Sequence, residues 1–205
     1  MSTNKPRKKV KKRTVKFRRL TSKVKKIAQT ALRRCERKRP QTHRPTVTIV
    51  FRYRGPGWKM MKKSRFLIIW SKDDGTGENP GLVKGGVEVG EKLFAAGFRE
   101  SAEEVGMSRE HIFFRGYGGT RSVRSLKCKG GFPKKLYVIL YADYTGPKRL
   151  TINPNELSRC AWLTDVEIDK TLCELRAKRP VKETVLREAL AAVMPLLLAI
   201  KKEAA

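Results

Sequence analysis

A mixed β-sheet packed between helices is the fold class this sequence predicts, and three observations predict it. Residues 46–53 (TVTIVFRY) and 65–70 (RFLIIW) are apolar, β-branched and aromatic runs that read as strands. Helical periodicity takes over between about residues 91 and 105, and the clearest strand of the chain, 135–143 (KLYVILYAD), comes after it. A second helical stretch, 181–201, closes the chain, so strands flank a central helix and a terminal helix follows. With 205 residues, 40% of them hydrophobic, one domain plus an appendage is the expected organisation.

The appendage is residues 1–45. Its first 18 residues are dominated by lysine and arginine and have little to bury. From Leu20 the pattern changes. Leu20, Val24, Ile27, Ala31, Leu32 and Cys35 recur at helical spacing, with Thr21 or Ser22 as a cap, so an amphipathic helix is expected over about residues 20–38. Residues 39–45 (RPQTHRP) read as a linker, and the domain is expected to occupy 46–205. Within it, a Gly/Pro/Lys-rich loop joins the first two strands. Residues 71–81 (SKDDGTGENPG) read as a turn-rich loop leading to a short apolar pair, Leu82 and Val83. After the central helix come a strand at 111–117, a glycine-rich basic loop, the 135–143 strand and a short strand at 160–163. In the terminal stretch Val185, Leu186, Leu190, Val193 and Leu197 form the buried stripe, and Pro195 should interrupt it.

Charge is the outlying number. The chain holds 48 Lys/Arg against 19 Asp/Glu, a net +29. Residues 1–45 contain one acid, Glu36, and the remaining domain is basic too. Such a surface attracts polyanions. Cys35, Cys128, Cys160 and Cys173 show no paired spacing, which fits a reducing intracellular compartment, the cytoplasm first, with an organelle or the nucleus as alternatives. A zinc site is disfavoured, because His43 and His111 are the only histidines. No signal peptide is read, and the apolar run 189–200 is too short to span a bilayer.

The central helix carries the chemistry. Residues 85–107 read GGVEVGEKLFAAGFRESAEEVGM. Glu100, Glu103 and Glu104 lie at i, i+3 and i+4, so their carboxylates leave one helix face. Carboxylates this close repel unless a cation lies among them, and hard cations such as Mg²⁺ or Mn²⁺ prefer oxygen ligands. Phe94, Phe98, Ser101 and Val105 occupy the opposite face, spaced for packing on a sheet. Gly106 is placed to stop the helix.

Gly85, Glu91, Arg99, Glu100, Glu103, Glu104, Gly106 and Met107 stand at the positions of the Nudix box, G-x5-E-x7-R-E-U-x-E-E-x-G-U with U a bulky apolar residue. The segment resembles that box, with Ser101 where the pattern has an aliphatic residue. The resemblance implies a Nudix-type α/β/α sandwich and hydrolysis of a diphosphate linkage. It implies that Glu100, Glu103 and Glu104 hold Mg²⁺ or Mn²⁺, with the backbone carbonyl of Lys84 as a further ligand. Arg99 would orient a catalytic carboxylate, Glu91 would support the loop, and Gly85 and Gly106 would be structural. Glu156 is the first candidate for general base outside the box. It precedes Trp162 by six residues, as in the E-x5-W ending of RNA pyrophosphohydrolases; a turn carboxylate is the alternative.

Substrate identity lies outside the box. Between Glu110 and Asp143 there is no acid, whereas Arg115, Arg121, Arg124, Lys127 and Lys129 are all present. These cations suit a polyphosphate or a nucleic-acid end. A solvated basic loop is the bland alternative. Three functions remain open. The first is a pyrophosphohydrolase acting on a nucleotide or an RNA 5′ end, with residues 1–45 holding RNA. The second applies the same chemistry to dinucleoside polyphosphates or diphosphoinositol phosphates. The third is a non-catalytic module bound to RNA or ribosomes. No membrane partner is expected.

Overall fold

The computed structural model describes residues 43–61, 63–72, 79–124 and 134–178, together with Lys26, Gln29, Thr30, Leu186, Arg187 and Ala191. Among these residues seven strands form one mixed sheet: β1 (His43–Tyr53), β2 (Phe66–Ser71), β3 (Asn79–Gly81), β4 (Val83–Gly86), β5 (Ile112–Arg124), β6 (Lys134–Tyr144) and β7 (Leu157–Leu163). The main path runs β3-β2-β1-β6-β5, with β4 paired to β1 and β7 to β2. Only β1 and β6 run parallel, from His43 opposite Lys134 to Tyr53 opposite Tyr144. The other pairings are antiparallel. Helix α1 (Leu93–Val105) covers one face, and α2 (Asp165–Lys178) lies on the other.

Alternation along the strands builds both layers. Val47, Ile49 and Phe51 of β1, Leu67 and Ile69 of β2, and Val138 and Leu140 of β6 pack with Leu93, Ala96 and Val105 of α1. Val50, Phe66, Ile68, Trp70, Ile139 and Tyr141 turn the other way, onto Ile168 and Leu172 of α2 and onto Leu186. Because both faces are covered, the central strands are apolar throughout rather than alternating. Each fully buried Ile, Leu or Val contributes about 1.5–3 kcal/mol.

The strands are longer than their apolar runs. β1 begins at His43, inside the stretch expected to be linker, because its parallel pairing with β6 continues to that point and Pro45 accepts the Val87 N–H. β5 extends to Arg124, into the expected basic loop, because it pairs with β6 along its length. Two short strands, β3 and β4, occupy what read as a turn-rich loop and an apolar pair. Helix α2 was not anticipated by the periodicity. A local signal for it existed: Thr164 and Glu167 form a capping box, with the Thr164 N–H donating to Glu167 at 2.7 Å and the Glu167 N–H to the Thr164 hydroxyl at 3.4 Å. Ile168 and Leu172 are its buried stripe. In the expected terminal helix, Leu186, Arg187 and Ala191 are helical, and the rest lies outside the described residues.

Candidate active site

β4 and α1 together present the acidic face. β4 is hydrogen-bonded to β1 with Gly85 opposite Val47 and Gly86 opposite Thr46, which fixes the strand before the turn. Helix α1 then starts at Leu93, two residues later than the sequence suggests. Lys92, at the N-cap, makes no side-chain cap. Instead the Leu93 N–H donates to the side-chain oxygen of Gln29 at 3.3 Å. A residue of the basic appendage thus satisfies one of the donors that a helix start leaves open. No local pattern could have revealed this, because the two residues are 64 positions apart.

At its other end α1 stops at Gly106, whose φ of 63° is the left-handed conformation glycine tolerates best. The helix side facing the sheet carries Ser101 and Gly97. Ser101 is fully buried, and its hydroxyl donates to the Gly97 carbonyl at 2.6 Å. A serine at this apolar position is therefore satisfied within its own helix. Gly97 allows close approach: a Cβ there would lie 3.0 Å from the ring of Phe114. Phe94 and Phe98 flank that ring edge-on at 5.0 Å.

Arg99 is the hub of the polar side. Its Nε and one terminal nitrogen grip the two oxygens of Glu91, each at 3.0 Å. That terminal nitrogen also donates to the Gly86 carbonyl at 2.8 Å. The other donates to Glu100 at 2.7 Å and to Glu103 at 3.1 Å. One planar guanidinium thus ties the loop, the strand end and two helical carboxylates together. Glu91 in turn accepts the Glu88 N–H at 3.0 Å, which supports the loop as expected. The Arg99 bonds hold the Glu91 carboxyl below its ordinary range and push the guanidinium further up, with Glu91 the largest cause.

Glu100 and Glu104 are buried, whereas the Glu103 side chain is 53% exposed. Burial raises the Glu100 carboxyl against the opposing pull of Arg99. Burial is stronger still at Glu104 and raises it to about 7, despite Lys84 nearby. Glu104 accepts the Lys84 backbone N–H at 3.1 Å. Gly85 lies directly against the Glu100 carboxylate, and a Cβ there would collide with it. That close approach is why the box begins with glycine. Among the described residues no three acidic or metal-ligating side chains converge on one point, since Glu103 turns toward Arg99.

Glu156 is brought to this region by the turn before β7. Asn153 donates its N–H to the Glu104 carbonyl at 2.9 Å, at the last turn of α1, and accepts the Glu156 and Leu157 N–H groups at 3.2 and 2.9 Å. The exposed Glu156 carboxylate is close enough to push both Glu100 and Glu104 upward. Trp162, its partner in the sequence pattern, is a core residue: its ring stacks on Tyr144 and its N–H donates to the Lys148 carbonyl at 2.9 Å.

The basic residues after the box divide. Arg115 leaves the opposite side of β5 from Phe114 and pairs with the buried Asp143 at 2.9 Å, so it does not reach toward α1. Arg121 is exposed and donates to the Thr120 carbonyl. Arg124 is placed in β5 by its backbone, while Lys127 and Lys129 lie outside the described residues.

A family model described as the NUDIX domain matches residues 42–188. The chain belongs to the Nudix hydrolase family. Its reaction class is accordingly hydrolysis of a phosphoric anhydride bond. An Ap4A hydrolase of C. elegans, in a binary complex, has a similar fold: 19% identity, TM-score 0.53, covering 74% of this chain and 98% of that one. A NUDIX hydrolase from Nitrosomonas europaea has 20% identity and TM-score 0.53, covering 75% and 90%. RenU, a Nudix hydrolase from M. smegmatis, has 17% identity and TM-score 0.51, covering 78% and 88%. At these identities the likeness is one of fold. A search of curated proteins finds no match. No helix among the described residues is long and apolar enough to cross a membrane.

Proposed function

We propose that this chain is a divalent-cation-dependent pyrophosphohydrolase that cleaves a diphosphate linkage at a nucleotide or RNA 5′ end, with its basic N-terminal segment holding the RNA. The observation that carries the reaction is the buried pair Glu100 and Glu104 beside Gly85. Burying two carboxylates side by side is costly unless a cation offsets them. Their oxygens, that of Glu103 and the Lys84 carbonyl are hard donors that fit Mg²⁺ or Mn²⁺. An extended residue points its N–H and C=O to the same side, so the Lys84 carbonyl shares the edge that meets Glu104. When bound, the ion supplies charge neutralisation on the phosphates and lowers the pKa of water.

The chain's own residues do the rest. Arg99 keeps Glu100 aimed while leaving its second oxygen open. On this reading Glu156 takes the proton of a water that attacks phosphorus. As the new P–O bond forms, the bridging P–O bond breaks, and the leaving phosphate departs with its electron pair. The net +29 charge supports a polyanionic substrate. Hydrolysis of dinucleoside polyphosphates is the second reading, and the fold shared with the nematode Ap4A hydrolase favours it.

A substrate panel in Mg²⁺ tests the proposal: triphosphorylated RNA, dinucleoside polyphosphates, ADP-ribose and diphosphoinositol phosphates. Turnover of RNA 5′ ends with the highest kcat/KM is expected. Turnover confined to the small polyphosphates selects the second reading, and none at all points to a binding module. Glu156→Gln should remove the lower limb of the pH–rate profile; an unchanged profile takes the base role away from Glu156.

A further inference from the structure

An open cleft of about 420 Å³ lies between the turn that follows β1 and the end of β6, lined by Arg54, Gly55, Gly57, Trp58, Lys59 and Thr145 among others. It lies at the far end of β1 from the box: Val47 pairs with Gly85, and Arg54 follows seven residues later. At about 3.3 Å per residue that is about 23 Å.

The cleft is built rather than incidental. The Arg54 N–H donates to the Tyr144 carbonyl at 2.7 Å, the Trp58 N–H to the Gly55 carbonyl at 3.1 Å, and the Tyr53 hydroxyl to the Pro56 carbonyl at 3.1 Å. The Arg54 guanidinium lies 3.8 Å above the Trp58 ring, which holds it in place. Among the described residues Arg54 has no carboxylate partner. Asp143, which acts on it electrostatically, is already shared by two guanidiniums, Arg52 at 2.8 Å and Arg115 at 2.9 Å. Partial burial, then repulsion from Arg52, pulls the Arg54 guanidinium below its ordinary range. A half-buried cation held over an indole, beside other cations and without a carboxylate partner of its own among the described residues, is a site that an anion would complete.

We propose that the Arg54–Trp58 cleft is a subsite for a backbone phosphate of a single nucleic-acid strand, several nucleotides downstream of the end held at the box. The inference rests on the reading of the box as acting on an RNA 5′ end. Arg54 and Lys59 contact the phosphate, and Trp58 keeps the guanidinium oriented. A stacked strand advances about 3.4 Å per phosphate, so about seven nucleotides span the distance. Small nucleotides held at the box do not reach the cleft. The subsite therefore distinguishes RNA from free polyphosphates.

The test uses the full chain and Arg54→Gln, with Lys59→Gln as an exposed substitution that leaves the fold alone. Binding of a fluorescent 12-nucleotide RNA with a 5′-hydroxyl is followed by anisotropy across a salt series, and turnover is measured on 5′-triphosphorylated RNAs of 2 and 12 nucleotides. Arg54→Gln should weaken 12-mer binding about five- to tenfold and lower the salt slope by about one. It should raise KM for the 12-mer and leave that for the dinucleotide unchanged. Lys59→Gln should show the same pattern, more weakly. Unchanged 12-mer affinity and salt slope in both variants would overturn the subsite. So would a variant that loses only its thermal response to inorganic phosphate, since the site would then serve the free ion. If the wild type binds the 12-mer through Arg54 yet hydrolyses no RNA, the reaction reading fails while the subsite stands.

Discussion

Two charged clusters on opposite faces of the sheet have inverse stoichiometry. Beside α1, one guanidinium, Arg99, is shared by Glu91, Glu100 and Glu103, and Glu104 adds a further carboxylate. On the other face one carboxylate, Asp143, is shared by Arg52 and Arg115, with the Tyr141 hydroxyl donating to it at 3.2 Å. The first cluster keeps an excess of negative charge at a glycine-lined edge. The second neutralises its buried member, Arg52, and leaves surplus positive charge nearby on Arg54. The lesson is that burial alone does not mark a reactive site. What marks it is burial with unbalanced charge of one sign, because that is what a ligand of the other sign relieves.

The largest expected effect breaks the acidic cluster. Glu104→Gln should cut kcat/KM on the order of 10³-fold or more if Glu104 holds the cation as proposed, because losing a cation ligand removes several kcal/mol of charge stabilisation. Circular dichroism should report an unchanged fold; full turnover in this variant would remove Glu104 from the reaction. On the other face, Asp143→Asn should act on stability instead. It strands the buried Arg52, and urea unfolding should show a loss of about 3–5 kcal/mol. Activity per folded molecule should remain, and a comparable collapse of kcat would erase the contrast between the faces.

Acidity should sharpen the same contrast. Glu104 stands at about 7 in the folded chain against an ordinary 4.5. The folded state thus keeps a proton that the unfolded chain has released, so stability of the metal-free protein should fall as pH rises from about 4.5 to 7. The loss approaches about 3 kcal/mol. Excess Mg²⁺ should flatten that fall, and a urea midpoint equally pH-dependent with and without Mg²⁺ would count against cation binding at Glu104. Arg99→Lys keeps the charge but loses the fork, and kcat should drop about 10–100-fold; a drop below twofold would show that charge alone suffices. The smallest effect is expected at Gln29→Ala, which uncaps α1 and should cost about 0.5–2 kcal/mol. No change in thermal midpoint would mean that water replaces Gln29 without loss.

Much of the acidic cluster is legible in the sequence. The i, i+3, i+4 spacing put Glu100, Glu103 and Glu104 on one face, and the glycine at 106 marked the stop. The packing side was legible in outline only: Phe94 and Phe98 are half-buried, whereas Leu93, Ala96 and Gly97 press on the sheet. Helix α2 escaped because its apolar stripe is thin, although its capping box was present in the sequence. The pairing of Arg115 with Asp143 is not legible locally, because sequence cannot say which face of a strand a side chain leaves when a bulge intervenes, and β5 is irregular between Phe114 and Gly116. Gln29 had no readable signal, since a cap supplied from 64 residues away exists only once the chain has folded.

The sequence alone determined the mixed α/β class, the acidic helix and the family, because helical spacing and alternation are local properties of the chain. Tertiary structure decided which carboxylates are buried, that Arg99 serves four partners, that Arg115 belongs to a structural ion pair, and that the turn bearing Glu156 docks on the end of α1. Those outcomes depend on which surfaces meet, and burial, charge balance and long-range hydrogen bonds acquire values only when they do.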